Sequence, residues 1–383
     1  MCYEAIINYI SRLKMKYYII AGEPSGDLHG SNLIKYLKTL DSGAQIRGWG
    51  GEKMQSQGAV IAKHYKDLAF MGFLEVLKNL KTILKNIKFC KSDISAFQPD
   101  VIVLIDYPGF NIRISEWAAK NNFKVVYYIS PQVWAWKENR VKTLKKTVQK
   151  MITILPFEKD FYKEKWNWNV HYAGHPLMEI IDDFKSSHKH LIKNENQIAI
   201  LPGSRKQEII AKLPIMLEAS KSFPDHKFIV AKAPGLPEEF YNDFLKDYEN
   251  ISTVSDKTYE LLMTSAAAVV TSGTATLETA LFNVPEVICY KGNSVSYAIA
   301  KRLVKIKFIG LVNLIMDKEV VKELIQNDLT VKNLTAELNK ILFNKSRKEQ
   351  IKRDYEKLRE ALSQKESASK IAAEIVFIEA FQN

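Results

Sequence analysis

The sequence predicts an α/β protein with two domains, each built on a parallel β-sheet with covering helices. The chain has 383 residues, which is too long for one ordinary hydrophobic core. Short apolar runs alternate with segments long enough for a crossover helix, a pattern typical of parallel β/α layers. A polar stretch rich in histidine and lysine, DDFKSSHKHLIKNENQ at 182–197, is predicted to be the linker between the domains.

Eight short apolar runs are the predicted strands of the two sheets. The run VIVLI at 101–105 shows the pattern most clearly, because five consecutive β-branched or aliphatic residues are typical of a strand buried on both faces. From about residue 330 onward the pattern is helical and charged, which predicts covering helices at the end of the chain. The eight runs lie at 17–21, 101–105, 125–129, 151–155, 198–201, 228–231, 267–270 and 287–290.

Composition excludes several classes of protein. The longest apolar runs, such as 266–270, are far shorter than the roughly 18 residues that span a bilayer. The first residues carry their positive charges after the apolar part, the reverse of a secretory signal, so we expect a cytoplasmic protein. The cysteines Cys2, Cys90 and Cys289 are far apart and indicate neither a disulfide framework nor a metal site.

The formal net charge of +12 is spread over the chain and mixed with acids, so no nucleic-acid partner is expected. One dense basic stretch lies at 137–150, and its Lys142, Lys145, Lys146 and Lys150 are predicted near one face of a helix. Two interpretations remain open: a solvated helix face, or a surface attracted to anionic lipid or a phosphorylated ligand. The residues of this predicted lipid-contact surface are Trp134, Trp136, Arg140, Lys142, Lys145 and Lys146.

Chemically unusual residues follow four of the predicted strands, at the strand ends where open α/β sheets bind their ligands. The first such stretch is AGEPSGDLHG at 21–30. Gly22 and Gly26 allow the backbone to approach a ligand, while Ser25 and Asp27 carry oxygens that cap a helix or bind hydroxyl groups. Helix capping alone explains the same residues.

The second stretch, AILPGSRKQEI at 199–209, combines a strand, a Pro-Gly turn and the start of a helix. We predict Ser204 as the N-cap residue, with Gln207 three residues later and Arg205 in the first turn. A plain capping box does not require Arg205, because its charge opposes the helix dipole. Free amides and a guanidinium group at one helix start therefore favour a phosphate site.

The third stretch, VVTSGTATLETALF at 269–282, is a strand that ends in a small, hydroxyl-rich turn before a helix. Ser272, Gly273 and Thr274 suit diphosphate oxygens, and Glu278 is placed to accept hydrogen bonds from ribose hydroxyls. The same glutamate is equally well explained as an acid favoured by the helix dipole.

The fourth stretch is the end of VIVLI itself, where Asp106 is followed by Pro108 and Gly109. A single aspartate at a strand end is more often a helix cap than a catalytic base. Asp106 is a candidate base because chemically unusual residues also follow the three other strands.

Several well-known signatures are absent from the sequence. GWGGEK at 48–53 has Lys53 in place of the last glycine of a dinucleotide-binding motif. The chain also has no Walker A motif, no H-E-x-x-H motif and no D-x-D pair, through which sugar-nucleotide enzymes usually hold a divalent metal. These absences favour a metal-independent transferase with the glycosyltransferase B architecture, in which two Rossmann-like domains face each other.

Eight motifs in fixed order are AGEPSGDLHG, MGFLEVL (71–77), IDYPGFN (105–111), YYISPQVWAWKENRVK (127–142), LPFEKDFY (155–162), GHPLM (174–178), LPGSRKQEI (201–209) and TSGTATLE (271–278). This set closely resembles the bacterial lipid-A-disaccharide synthases, from about residue 16 to the C-terminus. Members of that family transfer 2,3-diacylglucosamine from UDP to the 6-hydroxyl of 2,3-diacylglucosamine 1-phosphate. The transfer inverts the anomeric centre and gives the β-1,6 disaccharide of lipid A.

The resemblance implies roles for individual residues, which are carried over by motif. Asp106 is implied as the base that takes the proton from the acceptor hydroxyl. Val312 stands before Asn313 where we expect proline. The implied acceptor side comprises Glu23, Ser25, Gly26 and Asp27, and the implied donor side comprises Gly203, Ser204, Arg205, Ser272, Gly273, Thr274, Glu278 and Asn313.

The resemblance also implies partners and a location. Both substrates carry acyl chains, so we expect a peripheral protein on the cytoplasmic face of the inner membrane, with no metal or other cofactor. Members of the family can pair by exchanging C-terminal parts, so a homodimer is compatible with the resemblance.

The implied domain boundaries follow from the same comparison. They are an extension without assigned function at 1–15, an acceptor-binding domain at 16–181, a linker at 182–197, a UDP-sugar-binding domain at 198–350, and C-terminal helices at 351–383 that pack back on the first domain.

Two other functions remain open. The chain could act on a different UDP-sugar, such as the lipid-linked peptidoglycan precursor, because the nucleotide half of the site would look the same. Alternatively, it is a catalytically silent protein that binds nucleotide sugars or lipids. The presence of both Asp106 and Arg205 favours an active enzyme.

Overall fold

The computed structural model describes residues 14–68, 80–293, 297 and 306–382. Most of the predicted extension and the whole MGFLEVL motif at 71–77 lie outside these residues. The chain divides into two compact units, the first formed by residues 1–176 with 363–383 and the second by residues 177–362. Each unit is built on a parallel sheet with helices, so the predicted α/β fold class is confirmed.

The first unit holds a seven-stranded sheet in the order β3-β2-β1-β4-β5-β6-β7 among its described residues. The strands are β1 (Lys16–Ala21), β2 (Gln45–Gly50), β3 (Val60–His64), β4 (Val101–Ile105), β5 (Val125–Tyr128), β6 (Lys150–Thr153) and β7 (His171–Tyr172). The helices are α1 (Pro24–Leu40), α2 (Glu52–Ser56), α3 (Leu80–Phe97), α4 (Pro108–Lys120), α5 (Arg140–Thr147) and α6 (Pro156–Trp166).

The second unit holds a six-stranded sheet in the order β10-β9-β8-β11-β12-β13 among its described residues. The strands are β8 (Asn194–Leu201), β9 (Lys227–Lys232), β10 (Ile251–Ser255), β11 (Ser265–Thr271), β12 (Glu286–Tyr290) and β13 (Glu323–Ile325). The helices from this point of the chain to its end are α7 (Leu177–Ser187), α8 (Lys206–Ser220), α9 (Glu239–Leu245), α10 (Thr258–Thr264), α11 (Thr274–Leu281), α12 (Leu311–Met316), α13 (Val331–Phe343), α14 (Lys345–Leu362) and α15 (Ala368–Phe381).

Strand β4 lies at the centre of the first sheet and is buried on both faces, as its composition predicts. Val101, Val103 and Ile105 pack into one hydrophobic core with residues of α1 and α15. Ile102 and Leu104 pack into the opposite core with residues of α3 and α4. Burying one such side chain stabilises the fold by about 1.5–3 kcal/mol, so this strand fixes the middle of the sheet.

The structure differs from the predicted boundaries at 182–197 and 351–362. Leu177 and Ile181 of α7 are buried in the core of the second unit, so this helix takes up the first part of the predicted linker. Their spacing of four residues is helical, but the polar residues around them hide it in the sequence. Helix α14 also packs on the second unit, whereas α15 packs against α1 in the first.

In both sheets the strand order reverses between two central strands, which are β1 and β4 in the first unit and β8 and β11 in the second. Ala21 pairs with Ile105 in the first sheet. Leu201 pairs with Val270 in the second. Loops that follow adjacent parallel strands in this arrangement line a crevice where ligands bind. The four stretches singled out in the sequence therefore lie at these two reversal points.

Candidate active site

Asp106 lies directly after β4, in a turn whose backbone is unusual. Asp106 and Tyr107 both adopt left-handed conformations, with φ of 42° and 45°. The Asp106 carbonyl accepts hydrogen bonds from the Asn111 amide, at 2.8 Å, and from the Tyr127 hydroxyl, at 2.5 Å. Strained residues of this kind persist only where their surroundings hold them, so the backbone of this turn has a fixed position.

Glu23 lies beside Asp106, at the end of the neighbouring strand β1. It is the N-cap residue of α1, and its carboxyl group is close enough to act on the Asp106 carboxyl group electrostatically. Burial, and then the charge of Glu23, raise the pKa of Asp106 to about 7. A carboxyl group with such a pKa is an effective proton acceptor near neutral pH.

The two loops of this reversal point are in direct contact. A Cβ atom on Gly22 would stand 2.4 Å from the ring of Tyr107, so only glycine fits there. Gly26 is buried one turn into α1, where an added Cβ would lie 3.1 Å from the Ala21 Cβ. Ser25 is exposed beside it. Gly22 and Gly26 thus allow helix α1, strand β1 and the Asp106 turn to pack closely against one another.

Asp27 has a structural role that the sequence does not reveal. Its side chain is only 1% exposed. The carboxylate accepts hydrogen bonds from the backbone amides of Gly51 (2.7 Å), Lys53 (3.1 Å) and Met54 (3.1 Å), and so caps the start of α2. The prediction that Asp27 caps its own helix or binds hydroxyl groups is therefore corrected, because both oxygens bind backbone donors.

Three buried or half-buried titratable groups of the first unit were not singled out in the sequence, although all three lie in the quoted motifs. Glu158 accepts hydrogen bonds from the Leu155 amide and the Trp134 indole, at 3.0 and 3.1 Å, and burial raises its pKa to about 7. Burial lowers the pKa of His29 to about 4 and that of His175 to about 3. Both imidazoles are therefore neutral at physiological pH.

In the second unit, the turn after β8 differs slightly from the prediction. Helix α8 begins at Lys206 and its N-cap residue is Arg205, so the prediction of Ser204 as N-cap is wrong. Gly203 has φ of 116° and turns the chain into the helix. The Arg205 guanidinium is 62% exposed and lies 2.9 Å from a carboxylate oxygen of Glu208. The exposed guanidinium and the helix start still form a place for an anion.

The neighbouring turn, after β11, is open on its outer side. Gly273 is the N-cap residue of α11, and among the described residues no atom lies within 4 Å of where its Cβ would stand. Thr274 is the first residue of the helix. The Ser272 hydroxyl donates a hydrogen bond to the Ile309 carbonyl at 2.9 Å. Gly273 and Thr274 are exposed, so the outer side of this turn is accessible to a ligand.

Glu278 lies one turn further along α11 and is half-buried. It accepts a hydrogen bond of 2.8 Å from the Tyr259 hydroxyl, and burial raises its pKa. Tyr259 also lines a cavity of about 280 Å³ at the ends of β9 and β10. The cavity is lined by Phe184, Lys232, Pro234, Asp256, Lys257, Thr258, Tyr259 and Glu260.

Asn313 is fully buried, and its side chain forms hydrogen bonds with other groups of the protein. Its amide group donates to the Val321 carbonyl (2.8 Å) and to Glu323 (2.9 Å). Its oxygen accepts from the backbone amides of Val320 (2.8 Å) and Val321 (3.0 Å). These bonds use the whole hydrogen-bonding capacity of the amide. The implied donor contact is therefore corrected to a structural role.

The predicted lipid-contact surface is partly engaged in the fold. Trp134 is half-buried and donates its indole N–H to Glu158. Lys145 donates to the carbonyls at the end of α6, at 2.8 and 3.0 Å. Lys150 begins β6 and does not continue the helix. These three residues are therefore not free to form the predicted basic helix face.

In the rest of that surface, Trp136, Lys142 and Lys146 are exposed and Arg140 is half-buried. Trp136 is 48% exposed, with the Lys137 ammonium 4.4 Å and the Arg140 guanidinium 5.5 Å from its ring centroid. Lys142 and Lys146 point away from the buried side of α5. This aromatic and basic patch fits the interface between water and an anionic lipid surface.

The described residues hold neither a membrane-spanning helix nor a cluster of metal ligands. No helix in the described ranges is both long and apolar enough to cross a membrane. Within the same part of the chain, no three histidine, cysteine, aspartate or glutamate side chains converge as metal ligands would.

Comparison with known proteins decides the family. A family model for lipid-A-disaccharide synthetase matches residues 17–376. The lipid-A-disaccharide synthase of Syntrophus aciditrophicus is 35% identical over 365 residues, covering 92% of this chain and 95% of that protein. The chain belongs to the lipid-A-disaccharide synthase family. The synthase of Coxiella burnetii (strain Dugway 5J108-111) is 36% identical over 363 residues, covering 92% of this chain and 96% of its own.

Solved structures support the fold of this family member. A UDP-GlcNAc 2-epimerase from Neisseria meningitidis, bound to UDP-GlcNAc, superposes with a TM-score of 0.64 at 13% identity, covering 95% of this chain and 100% of that one. The calicheamicin glycosyltransferase CalG4 superposes with a TM-score of 0.61 at 12% identity, covering 96% of this chain and 98% of that one. The predicted glycosyltransferase B fold and the predicted class of enzyme, a glycosyltransferase, are confirmed.

Proposed function

We propose that this protein transfers 2,3-diacylglucosamine from UDP to the 6-hydroxyl of 2,3-diacylglucosamine 1-phosphate, with inversion. Membership of the lipid-A-disaccharide synthase family supports this reaction. The observation that carries the proposal is the carboxyl pair of Asp106 and Glu23 at the strand reversal of the first unit, where burial and then the charge of Glu23 raise the pKa of Asp106.

In the proposed reaction, the Asp106 carboxylate takes the proton of the acceptor hydroxyl as the oxygen attacks the anomeric carbon. The new C–O bond forms on the face opposite the leaving group, and the bond between sugar and UDP breaks. The electron pair of that bond leaves with the diphosphate of UDP. A carboxyl group with a raised pKa holds the transferred proton better than an ordinary aspartate does, which favours this step.

The donor side of the proposal uses the second unit. The diphosphate would bind the guanidinium of Arg205 and the open backbone amides at the starts of α8 and α11. Glu278 would accept hydrogen bonds from the ribose, and the cavity that adjoins it through Tyr259 would hold the base. Amides and one guanidinium stabilise the negative charge of the leaving UDP, so the proposed reaction needs no metal.

The acceptor side and the location follow from the acyl chains of the substrates. We place the enzyme on the cytoplasmic face of the inner membrane, with Trp136, Lys142 and Lys146 facing the anionic lipid. Binding to anionic vesicles should then weaken with salt and with Trp136→Ala. Binding that is indifferent to salt would indicate an apolar contact instead.

A UDP-release assay with several acceptors tests the proposed reaction. The purified protein, given UDP-2,3-diacylglucosamine and a chelator, should release UDP only when 2,3-diacylglucosamine 1-phosphate is present. Release with a different acylated acceptor, or only with added divalent metal, would contradict the substrate or the metal independence. UDP binding without release in any mixture would favour a silent nucleotide-sugar-binding protein.

A further inference from the structure

Lys212 is a lysine in the interior of the second unit. It lies on α8, and its side chain is only 2% exposed. Its ammonium donates a hydrogen bond to the hydroxyl of Thr271, the last residue of β11. Lysines are seldom fully buried, because the ammonium loses its hydration. Burial accordingly lowers the pKa of Lys212, and the nearby Glu208 opposes that shift.

Glu208 lies between this buried lysine and the exposed Arg205. One of its carboxylate oxygens is 2.9 Å from the Arg205 guanidinium, and the other is 4.0 Å from the Lys212 ammonium. The second oxygen also lies 2.8 Å from where a Cβ on Gly203 would stand. An acid therefore sits directly against the turn that is proposed to bind the diphosphate.

This placement creates an electrostatic problem for an anionic ligand. Glu208 repels a diphosphate at the turn, and it also holds the guanidinium that the diphosphate needs. The charges of Arg205, Glu208 and Lys212 sum to one positive charge, whereas without Lys212 they would cancel. Lys212 approaches Glu208 from the interior, where it cannot compete with the ligand for space.

We propose that Lys212 is a positioning residue that neutralises Glu208, so that Arg205 is released to bind the diphosphate of the donor. The proposal rests on the donor site of the proposed function. Through Thr271, the same ammonium also holds the end of β11, directly before the Ser272 turn. The buried ammonium of Lys212 thus interacts with Glu208, beside the turn after β8, and with Thr271, directly before the turn after β11.

Calorimetric titration with UDP and with uridine tests this role. Lys212→Met should weaken UDP binding about tenfold and leave uridine binding unchanged, because uridine has no phosphate. Adding Glu208→Gln to Lys212→Met should restore most of the affinity for UDP, since the uncompensated acid is then gone. Lys221→Met removes a lysine at the other end of α8, where it pairs with Glu218, and should change neither affinity.

Several results would overturn the proposal. Equal losses for UDP and uridine would mean that Lys212 is only structural. Failure of Glu208→Gln to rescue would mean that Lys212 contacts the phosphate itself. Glu208→Gln alone, at a half-exposed position, tests the idea even if Lys212→Met does not fold: UDP binding should tighten about threefold, and no gain would contradict the proposal. Absence of UDP binding by the unaltered protein would instead refute the donor site on which the proposal rests.

Discussion

The carboxyl groups of Glu23 and Asp106 interact electrostatically, although they belong to loops far apart in the sequence. They meet because β1 and β4 are neighbours in the sheet, with Ala21 paired with Ile105. Two carboxylates so close cannot both ionise without cost, so the pair retains a proton to higher pH than a single acid does.

This pair should make the protein less stable as pH rises. The pKa of Asp106 is about 7 in the folded protein and about 3.9 in an unfolded chain. Between these values the folded state binds more protons, so its stability falls with rising pH. Asp106→Asn removes this cost. Its free energy of unfolding, relative to the unaltered protein, should increase by about 2–3 kcal/mol between pH 5 and pH 8.

Urea titrations at the two pH values measure that difference. Asp160→Asn, an exposed aspartate on α6, serves as the control and should show little change with pH. A constant difference between Asp106→Asn and the unaltered protein at both pH values would mean that Asp106 is ionised normally.

Glu23→Gln should shift the pH dependence of turnover. Asp106 must be deprotonated to act as the proposed base, so activity should rise through about pH 7. Removing the neighbouring charge lowers the pKa of Asp106, and the acid limb of the profile should move down by about one pH unit. Turnover of both proteins measured from pH 5 to 9 tests this shift. An acid limb at the same pH in both would show that the two carboxyl groups are not coupled.

Arg205→Ala and Glu278→Ala should each weaken UDP binding about tenfold or more, since each removes a charged group from the proposed donor site. Calorimetry with UDP provides the affinities. Lys340→Ala, which removes an exposed lysine paired with Glu337 on α13, should leave the affinity as it is. Unchanged affinity in both site variants would refute the donor assignment.

Asn313→Ala should destabilise the second unit. It removes the buried bonds to Val320, Val321 and Glu323 and leaves their partners unsatisfied, at a cost of about 2–4 kcal/mol. Asn339→Ala, whose amide makes one exposed bond to the Thr335 carbonyl, is the control and should cost under about 0.5 kcal/mol. Equal denaturation midpoints for the two variants would contradict the structural role.

The sequence predicts the central strands well and the edge strands poorly. All eight predicted runs are strands, because strands buried on both faces are continuous apolar runs. Among the internal strands of the described sheets, β2 was missed, since QIRGWG mixes arginine and glycine with apolar residues. Strand β7 was missed because it has only two residues. Edge strands are stabilised by one neighbour and leave a weaker pattern.

The positions of the candidate residues at strand ends were also predictable, but the partners of their side chains were not. Asp27 binds amides of α2, and Asn313 binds the backbone at Val320 and Val321. Lys212 reaches Thr271 from a helix that begins after a different strand. Such contacts join segments that only the order of strands in the sheet brings together, and no local pattern records them.

The most direct test of the central claim is mass spectrometry of the product formed from UDP-2,3-diacylglucosamine and 2,3-diacylglucosamine 1-phosphate, with Asp106→Asn measured alongside. The unaltered protein should form the disaccharide phosphate. Asp106→Asn should turn over about 10² to 10⁴ times more slowly while binding UDP with the same affinity. No product from the unaltered protein, or near-normal turnover by Asp106→Asn, would contradict the account.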